Sequence, residues 1–179
     1  MAMQIHAGQP PFDAHLRITL PKGDDGVFAT LWAMKAFVDD AVERSPALAK
    51  LAGMIGQHCK SKMGRAHAVY EFMKRNVKFV RDPAGLEHVR HPDQLLEEIS
   101  RRGQTTGDCD DVATLGAALL KKLGLQACFI VAGRRRGGRF EHVLYGVRDR
   151  SGRFYPIDSQ HRVIGKLPRK AKRVKSFVV

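Results

Sequence analysis

The sequence has 179 residues, of which 44% are hydrophobic, so it is long enough for one domain with a hydrophobic core and not of disordered composition. Lysine and arginine number 31 against 18 aspartate and glutamate residues, and the net charge of +13 favours polyanionic partners: nucleic acid, an anionic cell-wall polymer or an acidic protein surface. Three scattered cysteines exclude a disulfide framework, and neither a membrane span nor a signal peptide is predicted.

The N-terminal residues 1–26 are predicted to form an arm interrupted by prolines and glycines. Within it, the pattern of residues 15–20 favours a short strand. Asp24 or Asp25 then caps a helix, because apolar residues recur at helical spacing from there through Phe37.

Two more helices are predicted in the next forty or so residues. Ser45 and Pro46 end the first helix and begin the second, since proline is tolerated in a first helical turn. A third helix contains residues 66–73, and it is followed by a β-rich run over 77–80 and a turn at Asp82–Pro83.

A short helix over residues 92–99 and a longer one come next. Gly103 ends the short helix. The longer helix starts at Asp108, carries leucine, valine and alanine along one stripe, and closes at Gly124.

The C-terminal third of the chain changes to strands. Residues 126–131, 140–147 and 154–157 are β-rich and are separated by glycine-bearing turns. Helices first and antiparallel strands last predict an α+β fold, with a helical N-terminal half and a C-terminal antiparallel sheet. The predicted domain spans residues 27–161, and residues 162–179 form a basic tail that is predicted to be partly unfolded.

Positive charge is concentrated in two places. Residues 162–179 contain 7 lysines and arginines and no carboxylate, and residues 134–139 contain a second cluster of arginines. We interpret them as a solvated tail and a solvated hairpin turn. Alternatively, the tail binds nucleic acid, although aromatic residues for base stacking are not interleaved with its charges.

Two of the cysteines have an explanation in packing alone. Cys128 lies within a predicted strand and Cys59 near a helix end, where small apolar side chains fit. His58 and Cys59 lack a second ligand pair at zinc-finger spacing. We therefore predict neither a metal nor a cofactor.

Cys109 differs because it opens a helix. With Asp108 as the N-cap, the backbone N–H groups and the helix dipole favour a thiolate there and could bind an oxyanion. Gly107 would let a substrate backbone approach closely. Asp110 and Asp111 act in the opposite direction on the thiol, although both also suit a helix start.

A thiol nucleophile needs a base and a group that holds the base, and two predicted strands supply both. The period of two places His142 on one face with Phe140 and Leu144. Asp158 ends the next strand, which follows a short turn, so its carboxylate can reach His142. His88 and His91 are competing bases, but they lie in a polar loop that favours surface roles.

The stretches Gly107–Asp111, Phe140–Val143 and Ile157–Asp158 resemble, in this order, the transglutaminase-like superfamily of papain-fold cysteine enzymes. The upstream run 77–83 is similar to that of small bacterial and bacteriophage members. The resemblance covers roughly residues 66–158.

The resemblance implies a role for each matching residue. Cys109 would be the nucleophile, His142 the general base and acid, and Asp158 the residue that orients the imidazole. The family often completes its oxyanion hole with a glutamine or aromatic side chain upstream of the cysteine. Gln104 is the candidate here, and Tyr145 is a weaker one. The implied fold packs the cysteine-bearing helix on an antiparallel sheet.

Three hypotheses follow from these observations. The first is a cysteine-dependent acyl-transfer enzyme that acts on a peptide or amide, with an anionic substrate suiting the charge. The second is a non-catalytic protein that retains the fold, such as a bacteriophage virion component contacting other phage structural proteins. The third is a nucleic-acid binder. The chain is expected in the bacterial cytoplasm or in a virion.

Overall fold

The computed structural model describes residues 15–17, 24–81 and 88–179. Most of the predicted arm and the predicted turn at Asp82–Pro83 lie outside these residues. In chain order the elements are β1 (His15–Arg17), α1 (Asp24–Arg44), α2 (Pro46–His58), α3 (Lys62–Asn76), β2 (Val77–Phe79), β3 (His88–Arg90), α4 (Pro92–Arg102), β4 (Thr105–Gly107), α5 (Cys109–Lys122), β5 (Ala127–Gly133), β6 (His142–Arg148), β7 (Phe154–Asp158), β8 (Val163–Ile164) and β9 (Arg173–Val178).

The strands form one large sheet and two small ones. The large sheet has five antiparallel strands in the order β8-β7-β6-β5-β9. In the small sheets, β1 pairs antiparallel with β3 and β2 pairs in parallel with β4. Among the described residues, five helices precede the large sheet in the chain, which confirms the predicted α+β class.

The helix boundaries follow the capping residues of the sequence. Ser45 caps α2 and accepts a hydrogen bond from the amide of Leu48 at 3.0 Å. Asp108 caps α5. Gly103 follows α4 with a left-handed φ of 76°, which glycine adopts without steric cost. The predicted helices are confirmed at these positions. Within the described ranges, none of the helices is both long enough and apolar enough to cross a bilayer.

The main hydrophobic core lies between α5 and the large sheet. Every α5 residue from Asp110 to Leu120 is buried, because the helix is covered by the sheet on one side and by α1 to α4 on the other. Gly116 allows the closest approach, since a Cβ atom there would lie 2.7 Å from the ring of Tyr145 on β6. The midpoints of α5 and β6 therefore meet.

A second, smaller core covers the opposite face of the sheet. Cys128, Ile130 and Leu144 are buried there. The connection between β8 and β9, residues 165–172, links the two edges of the sheet, and we call it the strap. Leu167 and Ala171 of the strap pack against this core. Burial raises the pKa of Cys128 to about 11, which is consistent with the predicted packing role.

The last eighteen residues differ from the predicted solvated tail. Residues 173–178 form β9, whose residues pair with β5 from Cys128 opposite Val178 to Gly133 opposite Arg173. Arg173 and Lys175 also lie over the rings of Phe140 and Phe28. The expected partial unfolding is therefore wrong for this strand, because apolar residues alternate with its basic ones and form the edge of the sheet.

His91 is also misplaced by the sequence prediction, which assigns it to a polar surface loop. It caps α4, accepts a hydrogen bond from the Asp93 amide at 3.2 Å and is only 5% exposed. Burial lowers its pKa despite Asp93 and Asp40 nearby. His88 begins β3 and is half-buried. A three-residue strand is too short to show periodicity in the sequence, and histidine is not among the residues that typically mark an N-cap, so neither position has a local signal.

Candidate active site

Cys109 is the first residue of α5 and is half-buried against the main core. The side chain of Asp108 accepts hydrogen bonds from the amides of Asp110 and Asp111, at 3.0 and 3.2 Å. Those two amides satisfy the helix cap, so they are not the donors for an oxyanion that the sequence suggested. The Cys109 Sγ atom lies 3.7 Å from Oδ1 of Asp110.

An arginine that the sequence prediction missed neutralises one of the three acidic neighbours. Arg90, on β3, contacts Oδ2 of Asp111 through Nε at 3.0 Å and Nη2 at 2.9 Å, and its amide donates to Oδ1 at 2.9 Å. The Asp111 side chain is 3% exposed and that of Arg90 15% exposed, so the pair is shielded from water. Nη2 of Arg90 also donates to the carbonyl of Thr106, which ties β4 to the start of α5.

The same pair explains Gly107. A Cβ atom at this position would lie 2.9 Å from Cβ of Asp111 and 3.3 Å from Nη2 of Arg90. Contacts within the protein thus account for a glycine here, and its role in the approach of a substrate stays a prediction. Both explanations predict a glycine at position 107. Arg90, which packs against it, lies 17 residues upstream, so the sequence next to Gly107 does not indicate this contact.

His142 and Asp158 meet as the sequence predicted. His142 begins β6, Asp158 ends β7, and Nε2 of the imidazole lies 2.8 Å from Oδ2 of the carboxylate. The Asp158 side chain is 1% exposed and that of His142 17% exposed. Burial alone would raise the pKa of Asp158, but the hydrogen bond and charge of His142, with the contacts of His161, lower it overall. Because Nε2 faces Asp158, Nδ1 is the ring nitrogen left for proton exchange.

The predicted single face around His142 is wrong in one respect. Phe140 joins the main core, whereas Leu144 belongs to the second core on the opposite face. The strand begins only at His142, so the alternation of the pleat does not extend back to Phe140.

His161 is a second partner of Asp158 that the sequence analysis did not identify. Its Nδ1 lies 2.9 Å from Oδ2 of Asp158, and its amide donates to Oδ1 at 3.1 Å. Its ring packs edge-on against that of His142, with centroids 5.1 Å apart. In the sequence, His161 is recognisable as a histidine three residues after Asp158. It lies in the turn between β7 and β8, where Arg162 adopts a left-handed φ of 53°.

Among the described residues, these three side chains also form a group that could hold a metal ion. One ligand atom from each of His142, Asp158 and His161 lies within 4.8 Å of the others. Hydrogen bonds between the two imidazoles and the carboxylate account for the same distances without an ion.

The two oxyanion candidates differ in their exposure to solvent. Gln104 is exposed and lies at the opposite end of β4 from Cys109. Tyr145 is fully buried, and burial raises the pKa of its hydroxyl. The structure thus brings His142 and Asp158 together, while the nucleophilic role of Cys109 and the oxyanion role of Gln104 stay predictions.

Comparison with known proteins identifies the family of this chain. The model of the transglutaminase-like superfamily matches residues 49–159, more than half of the chain, and this stretch includes Cys109, His142 and Asp158. No curated protein matches the sequence.

Solved structures with a similar fold are distant in sequence. A candidate protease from Parabacteroides distasonis ATCC 8503 is 13% identical with a TM-score of 0.50, over 70% of this chain and 26% of that one. The Rad4/XPC nucleotide excision repair complex is 11% identical with a TM-score of 0.51, over 85% and 46%. Calcium-bound LapG of Legionella pneumophila is 18% identical with a TM-score of 0.48, over 83% and 74%. The chain thus spans less than half of the first two, and the likeness is one of fold.

Proposed function

This chain belongs to the transglutaminase-like superfamily, and on that premise we propose that it is a cysteine-dependent acyl-transfer enzyme acting on peptide or amide bonds. In this proposal Cys109 is the nucleophile, His142 the general base and acid, and Asp158 the residue that orients the imidazole. The observation that carries the proposal is the 2.8 Å contact between Nε2 of His142 and the buried carboxylate of Asp158.

The position of Cys109 supports its role. It begins a helix whose midpoint contacts the midpoint of the strand that His142 begins. The helix dipole favours a thiolate at this end. Of the three acidic neighbours that oppose a thiolate, Asp111 is paired with Arg90 and Asp108 accepts two backbone amides.

The proposed reaction has two halves. Nδ1 of His142 takes the thiol proton, and the thiolate of Cys109 attacks the carbonyl carbon of the substrate. The C–N bond breaks, the leaving amine takes the proton from the imidazolium, and an acyl thioester remains on Cys109. Water or a second amine, deprotonated by His142, then attacks the thioester and releases the thiol. Asp158 fixes the tautomer and stabilises the imidazolium throughout.

Hydrolysis is the outcome that we favour over transamidation, because water needs no acceptor pocket. The excess positive charge suits an anionic substrate, such as an acidic peptide or a cell-wall amide. Gln104, which is exposed and immediately precedes β4, is retained as the candidate oxyanion donor.

Alkylation of the three cysteines tests the thiolate directly. Iodoacetamide labelling is followed by mass spectrometry between pH 5 and 9 in the wild type and in His142→Ala. We expect Cys109 to react rapidly well below pH 8, and about tenfold or more slowly in the variant, because the imidazolium partner of the thiolate is lost. Cys59 is half-buried and serves as the ordinary thiol, and buried Cys128 as the unreactive one.

The contradicting result is equally specific. If Cys109 reacts like Cys59 in both proteins, the thiolate–imidazolium pair is not assembled. That outcome would favour the alternative function, a non-catalytic structural or interaction protein that retains the fold, such as a virion component.

A further inference from the structure

Two basic segments that are far apart in sequence are joined in the structure. The turn between β5 and β6, residues 134–139, lies beside the end of the strap, because the Lys172 amide donates to the carbonyl of Gly133 at 2.9 Å. Nη1 of Arg173 donates to the carbonyl of Gly138 in the same turn at 2.6 Å. The arginine turn and the strap therefore form one surface.

This surface, which we call the basic surface, carries eight exposed cationic side chains. They are Arg134, Arg135, Arg136, Arg139, Lys166, Arg169, Lys170 and Lys172. The sequence has no carboxylate in residues 127–140 or 159–179. Two acidic residues lie next to the turn: Glu141, which pairs with Arg134 at 3.2 Å, and Asp24, which pairs with Arg173 at 2.6 Å. Positive charge thus dominates the basic surface.

The strap holds its cations on a fixed backbone. Leu167 and Ala171 pack into the second core, whereas the four basic residues between and beside them are exposed. The strap links β8 at one edge to β9 at the other, so it crosses a sheet about 19 Å wide, taking ~4.8 Å between neighbouring strands. Duplex DNA presents one phosphate charge per ~1.7 Å of its axis when both strands are counted, so about eleven phosphates lie along this span.

We propose that the basic surface binds nucleic acid through its phosphate backbone. Five of the eight cations are arginines, whose planar guanidinium groups match phosphate oxygens in pairs. In residues 133–179 every phenylalanine and tyrosine is buried or half-buried, so stacking on bases does not contribute. The binding is therefore independent of base sequence. It does not depend on the proposed acyl transfer, since no residue of the basic surface belongs to the candidate triad.

Protection of a sheet edge is the simpler explanation of basic residues near β9. It applies to Lys175, which lies on the edge strand itself. It does not apply to the arginine turn, which projects beyond the end of two paired strands, or to the strap, which lies over the face of the sheet.

The test compares two variants that remove the same charge. In the first, Arg134, Arg135, Arg136 and Arg139 are all replaced by glutamine. In the second, Lys50, Lys60, Lys62 and Arg75, exposed residues on or beside α2 and α3, are replaced in the same way. Affinity for a fluorescent 25-base-pair duplex is measured by anisotropy between ~50 and ~200 mM salt, with full-length protein.

We expect the turn variant to bind at least about tenfold more weakly and to lose about one unit of salt slope per phosphate contact removed. The control variant should lose no more than about threefold, which is the contribution of net charge alone. Thermal unfolding of both variants should match the wild type, because all eight positions are exposed.

Two results would overturn the proposal. Equal losses in the two variants would mean that net charge, and not the basic surface, attracts the duplex. Tighter binding of polyglutamate than of the duplex at equal salt would identify an acidic polypeptide as the partner. The alkylation rate of Cys109 should be unchanged in the turn variant. A failure of the proposed nucleic-acid binding can therefore be distinguished from a failure of the proposed acyl transfer.

Discussion

At the scale of single residues, the buried carboxylate of Asp158 accepts three hydrogen bonds in the candidate site. It accepts from the imidazoles of His142 and His161 and from the backbone amide of His161. These contacts lower its pKa against the opposing effect of burial. A carboxylate held in this way keeps the imidazole of His142 in one orientation, which is what a proton-transfer residue requires.

The lowered pKa predicts how Asp158 contributes to stability as pH changes. The unfolded carboxyl group binds a proton near its ordinary pKa of 3.8, whereas the folded one binds it only at lower pH. Its contribution is therefore present above that value and is lost as pH falls through the folded pKa. We expect Asp158→Asn to cost about 1.5–3 kcal/mol of unfolding free energy at pH 7.

Urea unfolding at pH 7, 5, 4 and 3 checks this prediction. The difference between wild type and Asp158→Asn should shrink toward the acidic end, because the wild-type carboxylate becomes protonated and loses its charged hydrogen bonds. A difference that stays constant over the whole range would show that the pKa of Asp158 is the same in the folded and the unfolded protein.

At the scale of elements, the contact between α5 and β6 sets the position of both ends of the candidate site. Cys109 begins the helix and His142 begins the strand. The close approach of the two elements depends on the absence of a side chain at Gly116, next to the buried ring of Tyr145.

The same substitution at two helical glycines should have opposite effects. Gly116→Ala places a Cβ atom 2.7 Å from the Tyr145 ring, and we expect a loss of about 1–3 kcal/mol. Gly53→Ala on α2 meets no atom within 4 Å and should stabilise the protein by about 0.5–1 kcal/mol. Chemical denaturation of both variants measures this. Equal stability of the two would mean that α5 and β6 are not closely packed.

Sequence predicted those elements whose signals are local. Ser45, Asp108 and Gly103 mark helix ends by their own chemistry, and the periodicity of α5 spans four turns. Three-residue strands such as β3 and β4 show too few repeats for a pattern. The positions of Arg90 and His161 depend on those strands and on one tight turn, so the sequence named the candidate triad but not the residues around it.

At the scale of the whole molecule, the C-terminal segment is part of the domain and not an appendage. The strap fills the second core and β9 completes the large sheet. The sequence indicates neither the packing of the strap nor the strand β9, because basic residues separate the apolar residues Leu167, Val174 and Phe177. The strand β9 pairs with β5, which lies some forty residues upstream, so the residues next to β9 in the sequence do not indicate this pairing.

Removal of this segment should disrupt the fold. Truncation after Gln160 exposes Ile130 and Leu144, so we expect loss of cooperative unfolding and binding of a hydrophobic dye. Cys128 should become open to alkylation in the truncated protein. Replacing Lys166, Arg169, Lys170 and Lys172 by glutamine is the matched control, and its melting temperature should change by only a few degrees. A truncated protein that melts cooperatively at the wild-type temperature would contradict the role of the strap.

The pairing of β9 with β5 has a consequence for how the protein is made. Translation delivers β5, with both of its edges open, before the strand that covers one of them has been synthesised. At ~5–20 residues per second, some seconds separate the two strands on the ribosome. During that interval the nascent chain presents the unpaired, apolar edge of β5 to other nascent chains and to chaperones. The sheet is thus complete only after β9 has been synthesised, and a nascent chain arrested before Arg173 is expected to be prone to aggregation.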